Sequence, residues 1–333
     1  MFIVGSYTLA VVLCFITMLC WGSWANTQKI AAKSWRFELF YWDYVLGILL
    51  FSLILGFTLG SSGTQGMGFV ENLRHAESAN IISAMAGGVI FNLANILIVA
   101  AISIAGMSVA FPIGIGIALV LGVIINYIGM PQGNPLWLFG GVTLVGLAIV
   151  IDALAYKRKT AETQKAPTKG IIISIIGGVL MAMFYRFVAS SMAKSMEAPE
   201  AGLLTPYAAL FIFSTGILIS NFLFNTILMK KPFEGAPISY TQYFKGGLKE
   251  HLTGILGGMI WCVGMALSII AAGKAGFAIS YGLGQGATLI AALWGVFIWK
   301  EFKSAPKSVN ALLTLMFILF TAGLVMIIVA GNN

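Results

Sequence analysis

The chain has 333 residues, 59% of them hydrophobic, and its 19 Lys or Arg and 11 Asp or Glu amount to only 9%. Because a soluble protein carries about 25% charged residues, this composition excludes a cytoplasmic enzyme, a disordered protein and a nucleic-acid-binding protein. It predicts an integral membrane protein. The formal net charge is +8, and Lys and Arg of membrane proteins accumulate in cytoplasmic loops, so this excess first carries information about topology.

The N-terminal segment MFIVGSYTLAVVLCFITMLCWGSW is apolar from its first residues. It lacks the basic region and the small-residue cleavage site of a signal peptide, so we expect a retained first helix. The three cysteines, Cys14, Cys20 and Cys262, all lie in apolar runs and show no metal-site spacing. We expect them to be packing residues without disulfides.

Ten apolar segments are long enough to cross a membrane, since a bilayer core of about 30 Å requires roughly 20 residues of helix. Runs such as IALVLGVII and LTLMFILF do not alternate in polarity, which excludes a β-barrel. The sequence therefore predicts an all-α integral membrane fold with ten transmembrane helices. The predicted spans are residues 4–25, 39–60, 80–104, 107–129, 136–155, 170–193, 203–229, 252–273, 276–298 and 309–331.

The basic residues are distributed unevenly between the two sides of these spans. Arg74, Lys194 and Lys274 fall on one side and Arg186 falls inside a span, whereas the other fifteen follow spans 1, 5, 7 and 9. One span more or fewer would scramble this asymmetry. The positive-inside rule then predicts cytoplasmic basic loops and outward-facing termini in a cell inner membrane. The fifteen are Lys29, Lys33, Arg36, Lys157, Arg158, Lys159, Lys165, Lys169, Lys230, Lys231, Lys245, Lys249, Lys300, Lys303 and Lys307.

The two halves of the chain resemble each other. Residues 87–116, GGVIFNLANILIVAAISIAGMSVAFPIGIG, align without a gap with residues 257–286, GGMIWCVGMALSIIAAGKAGFAISYGLGQG. Gly-rich helices are alike in composition, but here aromatic residues and the interhelical turn also match. Because each half has five helices, the second would enter the membrane inverted, as in many secondary transporters. We predict two inverted five-helix repeats, 1–155 and 170–333, joined by a basic cytoplasmic linker, 156–169.

Three blocks of sequence carry a family resemblance: CWGSWANTQK near span 1, GGVIFNLANILIVAAISIAGMSVAFPIGIGIALVLG across spans 3 and 4, and GLGQGATLIAALWGVFIWKEFK across spans 9 and 10. They resemble the drug/metabolite transporter superfamily and, within it, the group of glucose/ribose porters, rhamnose transporters and ureide permeases. The last block is most similar to the sugar-porter members. The resemblance implies a transport role more firmly than it implies a substrate.

Amide side chains inside the spans are candidates for binding a neutral polar substrate, such as a sugar or a ureide. Asn92 and Asn95 lie three residues apart on one face of span 3, and Gln285 lies between Gly284 and Gly286 in span 9. Each amide fits two roles, lining of a pore or hydrogen bonding between helices. Burial of an unpaired amide is costly, so both roles point these side chains into the bundle.

Aromatic side chains provide a second set of candidates. Tyr281 and Trp261 fit either stacking against a substrate or packing and anchoring in the bilayer. Trp21, Trp24 and Asn26 at the end of span 1 fit either an inner gate or an aromatic belt followed by a helix cap.

Ionisable residues inside membrane spans are functional candidates by default. Asp43 in span 2 fits a proton-coupling carboxylate or an interfacial acid paired with Lys29, Lys33 or Arg36. Arg186 in span 6 fits a substrate-binding group in the vestibule or a side chain that reaches the outer interface. We expect surface charges at Glu38, Asp152 and Glu301 and expect the two histidines, His75 and His251, to lie in loops.

These features together predict a transporter and give no catalytic constellation that would indicate an enzyme. We expect uptake of a small neutral polar metabolite by alternating access with a co-transported proton. The resemblance favours a monosaccharide, with a ureide, nucleobase or drug as the alternative. We expect no cofactor, metal or nucleic acid, only membrane lipid, the substrate and the proton as partners, and a monomer or homodimer.

Overall fold

The computed structural model describes residues 1–31, 35–63, 65–160, 167–233, 235–303 and 305–332. Within these residues the protein is all-helical, and its β-structure is confined to an isolated bridge between Met192 and Leu204. The helices are α1 Tyr7–Ser23, α2 Ala25–Ala31, α3 Phe37–Phe57, α4 Phe69–His75, α5 Ser78–Ala105, α6 Met107–Gly129, α7 Pro135–Thr160, α8 Thr168–Ser191, α9 Pro206–Lys230, α10 Tyr240–Phe244, α11 Leu248–Ala275, α12 Phe277–Gly284, α13 Ala287–Leu293 and α14 Lys307–Ala330.

Ten helical segments of the described chain are long and apolar enough to cross a membrane, which confirms the predicted class and helix count. The first span comprises α1 and α2, and the ninth comprises α12, α13 and a π-helical turn, Trp294–Ile298. The other eight are α3, α5, α6, α7, α8, α9, α11 and α14. Most predicted boundaries differ from the observed ones by a few residues, and those of α6 coincide at 107–129.

The ninth span is broken near its middle, although the sequence predicted one continuous helix. The Gly286 amide donates to the Leu283 carbonyl at 2.9 Å, a three-residue step that tightens the turn around Gln285. Gly284 and Gly286 permit close packing there, because a Cβ on Gly286 would lie within 2.9 Å of the Leu283 carbonyl oxygen. The break places Gln285 at the junction of two short helices.

The segments that align in sequence also have equivalent bounds in the structure. Helices α5 and α11 each have 28 residues and are followed directly by Gly106 and Gly276, with φ of 78° and 83°. Only glycine adopts these dihedrals without strain. Gly88 on α5 and Gly258 on α11 each leave no room for a Cβ, against the carbonyl oxygens of Phe213 and Tyr44. Small residues at both positions thus permit close helix crossings.

Two short helices lie in the connections between spans. Helix α4 follows α3, and α10 precedes α11 with a capping box formed by Ser239 and Gln242. The prediction that His75 and His251 lie in loops is wrong, because His75 is the last residue of α4 and His251 lies in the first turn of α11. The predicted linker is helical through Thr160, and its residues 161–166 lie outside the described residues.

Candidate substrate cavity

A cavity of about 590 Å³ lies between the two halves of the bundle. Its walls come from α1, α2, α5, α6 and α7 of the first half and from α8, α11, α13 and the π-helical turn of the second. The lining extends from residues at mid-span to Lys29 and Glu301 at the end of the bundle that carries the basic connections. The cavity therefore has its mouth at that end.

Aromatic side chains form the deep end of the cavity. The rings of Trp21 and Trp261 are nearly parallel, with centroids 5.9 Å apart and planes inclined by 16°. The Trp21 indole also donates to the Trp261 carbonyl at 3.2 Å. Phe91 lies 4.4 Å from Trp261 and 5.1 Å from Phe184, centroid to centroid. Trp261, Phe91 and Phe184 are buried against one another, and Trp21 is the partly exposed ring of the four that a flat solute would meet.

A buried layer of polar side chains lies beyond the aromatic deep end of the cavity. The Tyr185 hydroxyl of α8 lies 3.0 Å from the Ser268 hydroxyl of α11, and the Ser280 hydroxyl of α12 donates to the Ser268 carbonyl at 2.6 Å. The Cys14 thiol of α1 lies 3.8 Å from the Ser280 hydroxyl. Four helices are joined in this layer, which separates the cavity from the end opposite its mouth.

Two of the predicted amide candidates line the cavity. Asn95 does so while its amide donates to the Tyr41 hydroxyl at 3.2 Å. Gln285 lies in the wall at the break of the ninth span, half-buried. Within the described residues, no hydrogen bond to the Gln285 side chain is formed. Its amide is thus available to a solute.

Two of the predicted gate residues, Trp24 and Asn26, line the cavity closer to its mouth. Trp24 packs against Tyr44 with ring centroids 4.7 Å apart. The side-chain Oδ1 of Asn26 accepts from the Trp299 indole at 2.6 Å, and its side-chain amide donates to the backbone carbonyl of Ser23 at 2.9 Å. Asn26 therefore joins the end of the first span to the end of the ninth.

Three of the predicted substrate-binding candidates lie off the cavity lining. Asn92 accepts from the Tyr41 hydroxyl at 2.9 Å and donates to the Ser220 hydroxyl at 2.9 Å, so it joins α3, α5 and α9. The buried Tyr281 donates to the Ala118 carbonyl at 3.0 Å. The guanidinium of Arg186 packs against Gly129 at the end of α6.

Asp43 lies in a buried cluster that is separate from the cavity lining. Its carboxylate accepts from the Tyr243 hydroxyl at 2.7 Å and from the Trp35 indole at 3.3 Å, and His251 Nδ1 lies 2.9 Å away. Burial and the hydrogen bond to Asp43 raise the pKa of the Tyr243 hydroxyl above its ordinary value. The cluster fastens α10 to α3 and α11.

The expectation that Asp43 pairs with a nearby Lys or Arg is wrong for the described candidates. Arg36 pairs with Glu38 at 2.5 Å, and Lys29 pairs with Glu301 at 2.8 Å. Lys33 lies outside the described residues. The partner is instead His251, which is 208 positions away in sequence and which only the packing of α3 against α11 brings into contact.

An ion pair crosses the mouth of the cavity, where the sequence predicted Glu301 to be a surface charge. Glu301 accepts from Lys29 at 2.8 Å and from the Tyr156 hydroxyl at 2.9 Å. Partial burial opposes ionisation of Glu301, but the hydrogen bonds from Lys29 and Tyr156 outweigh it and lower the pKa of the carboxyl below its ordinary value. The Lys29 ammonium also lies 4.2 Å from the centroid of the Trp299 ring, a cation–π contact.

Asp152 was also expected at the surface, and it lies in the cavity wall near Glu301. Its Oδ1 atom is buried, and no donor among the described residues reaches it. A sequence signal for this site was present, because Asp152 and Tyr156 are four residues apart and share a helix face. No local signal links either residue to Glu301, which lies on a different segment of the chain.

A multi-pass helical bundle with a central cavity that reaches mid-membrane is the architecture of a membrane transporter. The sequence profile of the ureide permease family matches residues 40–169 and 145–330. The chain belongs to this family, whose members are transporters and not enzymes.

Curated relatives agree along the whole chain. Ureide permease 4 and Ureide permease 1 of Arabidopsis thaliana are 21% and 20% identical, with all of this chain and all of each relative covered. A solved protein crystal structure aligns with a TM-score of 0.61 over 96% of both chains at 14% identity, which shows a shared fold. The monosaccharide expectation gains no support from these relatives, and the ureide alternative fits them better.

Proposed function

We propose that this protein takes up a ureide or a closely related small neutral metabolite by alternating access, together with a proton. The available amide of Gln285 in the wall of the central cavity carries this proposal within a chain of the ureide permease family. The basic connections would lie in the cytoplasm and the termini outside the cell inner membrane. The cavity would then face inward.

The chemistry of the cavity matches a ureide. A ureide presents N–H donors beside a C=O acceptor, and a primary amide such as that of Gln285 or Asn95 presents the same two groups. Paired hydrogen bonds between such groups fix the plane of the solute. The partly exposed ring of Trp21 would pack against that plane, supported from behind by the nearly parallel, buried ring of Trp261, 5.9 Å away between centroids. We assign supporting roles to Asn92 and Tyr281, which hold the helices that carry this wall, and to Arg186 at the outer end.

Alternating access requires two arrangements of the halves. Equivalent helices of the two halves make similar contacts, which supports the proposed inverted repeat. Helix α5 packs on α8 and α9, as its counterpart α11 packs on α1 and α3. Likewise, α6 packs on α8 as α12 and α13 pack on α1. Asn26 and Trp299 already share a hydrogen bond, and closing the mouth would bring Trp24 against this pair to complete the inner gate. Asp43 would latch α10 at the side of this gate through His251.

Uptake into proteoliposomes tests the proposed substrate class. We expect labelled allantoin, a ureide, to be taken up, with uracil competing more strongly than glucose. Gln285→Ala should weaken uptake about tenfold, the value of one or two hydrogen bonds. The matched control is Gln132→Ala, because Gln132 lies at the opposite end of the bundle, where its amide donates to the Lys274 carbonyl.

Two results would contradict the proposal. Uptake of labelled glucose without uptake of labelled allantoin would show that the substrate is a sugar. Unchanged allantoin uptake by Gln285→Ala, at equal protein levels, would remove Gln285 from the site.

A further inference from the structure

The wall of the cavity near its mouth contains two carboxylates with opposite surroundings. Glu301 is engaged on both oxygens, because Lys29 donates to Oε1 at 2.8 Å and Tyr156 donates to Oε2 at 2.9 Å. Asp152 has a buried Oδ1 that no donor among the described residues reaches. The charge of Glu301 is thus compensated by its neighbours, whereas Asp152 has no donor at Oδ1 among the described residues to compensate its charge.

The charges around Asp152 do not supply that compensation. Two carboxylates and one ammonium group line the cavity within the described residues, and the ammonium of Lys29 is held by Glu301. Helices α6 and α14 pack against α7, and their titratable residues lie at helix ends: Tyr127 at the distant end of α6 and Lys307 at the exposed end of α14. The other titratable groups on the elements around Asp152 are Tyr156 and Lys159 on α7, Lys29 on α2 and Glu301 in the segment before α14.

A proton is the ligand that suits this oxygen. Oδ1 is buried, so the N–H group of a solute does not reach it in this conformation. An ionised carboxylate with an unpaired oxygen is costly in a low-dielectric interior, and protonation removes the charge. Asp152 is a lining residue of the cavity, which gives its carboxyl group a route for proton exchange with cavity water.

We propose that Asp152 is the proton carrier of the transport cycle. The inference rests on the proposed proton-coupled uptake and assigns the proton to a residue. Asp152 takes one proton from water when the cavity faces outward, and the neutral carboxyl group permits the loaded cavity to close. When the cavity opens inward, the carboxyl group returns that proton to water and the solute leaves. With solute bound, an ionised Asp152 resists closure, because the solute displaces the water that hydrates the charge. The empty cavity keeps that water and returns to the outward-facing arrangement.

Proteoliposomes separate proton coupling from solute binding. Wild-type protein should accumulate labelled allantoin under an imposed pH gradient at zero membrane potential, up to about tenfold per pH unit for one proton. Asp152→Asn should lose accumulation and still exchange labelled for unlabelled allantoin at equal pH on both sides. Asp152→Glu should restore accumulation. Glu301→Gln, a matched change on the same wall, should keep it.

A second measurement does not depend on the substrate. Infrared difference spectra of the wild-type protein between acidic and alkaline pH should contain a band of a protonated carboxyl group that Asp152→Asn lacks and Glu301→Gln keeps. Failure of wild-type uptake with this band present would refute the ureide substrate and leave Asp152 as a proton site. Accumulation by Asp152→Asn at the wild-type level, or an unchanged band, would overturn the assignment. Loss of exchange in correctly folded Asp152→Asn would make Asp152 a solute ligand instead.

Discussion

Asp43 and Asp152 are both acidic residues inside membrane spans near the basic end of the bundle, and their surroundings differ. Asp43 is contacted by the Tyr243 hydroxyl, the Trp35 indole and the His251 ring. Asp152 lines the cavity and has an oxygen without a donor among the described residues. The difference teaches that an acid in a membrane span is structural where partners fix its charge and is available for function where they do not.

The largest expected effect is a difference in protein stability between the variants of the two acids. Asp43→Asn should lower the free energy of unfolding by about 3 kcal/mol, because it removes a buried charge from three partners. Asp152→Asn should leave the stability unchanged or raise it, because an uncompensated carboxylate is replaced by a neutral group of the same shape. Thermal unfolding of the purified variants in one detergent checks both values. A larger loss for Asp152→Asn than for Asp43→Asn would break the comparison.

The second-largest expected effect concerns two neutral residues of α5, Asn92 and Asn95. Asn92 is buried among partners on α3 and α9, whereas Asn95 lines the cavity. Asn92→Ala should cost about 2 kcal/mol of stability by leaving the buried Ser220 and Tyr41 hydroxyls without this partner. Asn95→Ala should cost less stability and weaken allantoin binding about fivefold. Thermal unfolding and titration calorimetry on both variants test this, and equal effects on binding would contradict it.

The smallest expected effect concerns the ion pair at the mouth. The lowered pKa of Glu301 means that its contribution is present above the ordinary pKa of a carboxyl group and is lost as the pH falls through the lowered value. Since the Lys29 and Glu301 side chains are 46% and 26% exposed, the pair should contribute less than about 1 kcal/mol.

Uptake measured from about pH 5 to pH 8 checks this. Glu301→Gln should change the rate of uptake and keep the shape of its pH profile, because Glu301 stays ionised over that interval in the wild-type protein. A shifted pH profile would assign the transported proton to Glu301 instead of Asp152.

The candidate site was partly predictable from the sequence. Gln285 and Asn95 were identified because a neutral polar substrate needs amide groups inside the spans. Trp21, Trp24 and Asn26 were identified because they cluster at one span end, and all five residues line the cavity. Asn92 satisfied the same rule as Asn95, but its hydrogen bonds to other helices take it off the lining. Spacing along one helix does not reveal which face meets a cavity and which meets a neighbouring helix.

The sequence by itself determined the class, the number of membrane helices and the family, since each depends on composition, hydrophobic length or similarity along the chain. These properties are local or sum over the chain, so they do not depend on the three-dimensional arrangement of the helices. Only the tertiary structure decided that His251 meets Asp43, that Lys29 and Tyr156 engage Glu301 and that Asp152 lies in the cavity wall. The reason is physical: the charge state and access of a buried acid depend on partners from distant segments, and packing alone brings those segments together.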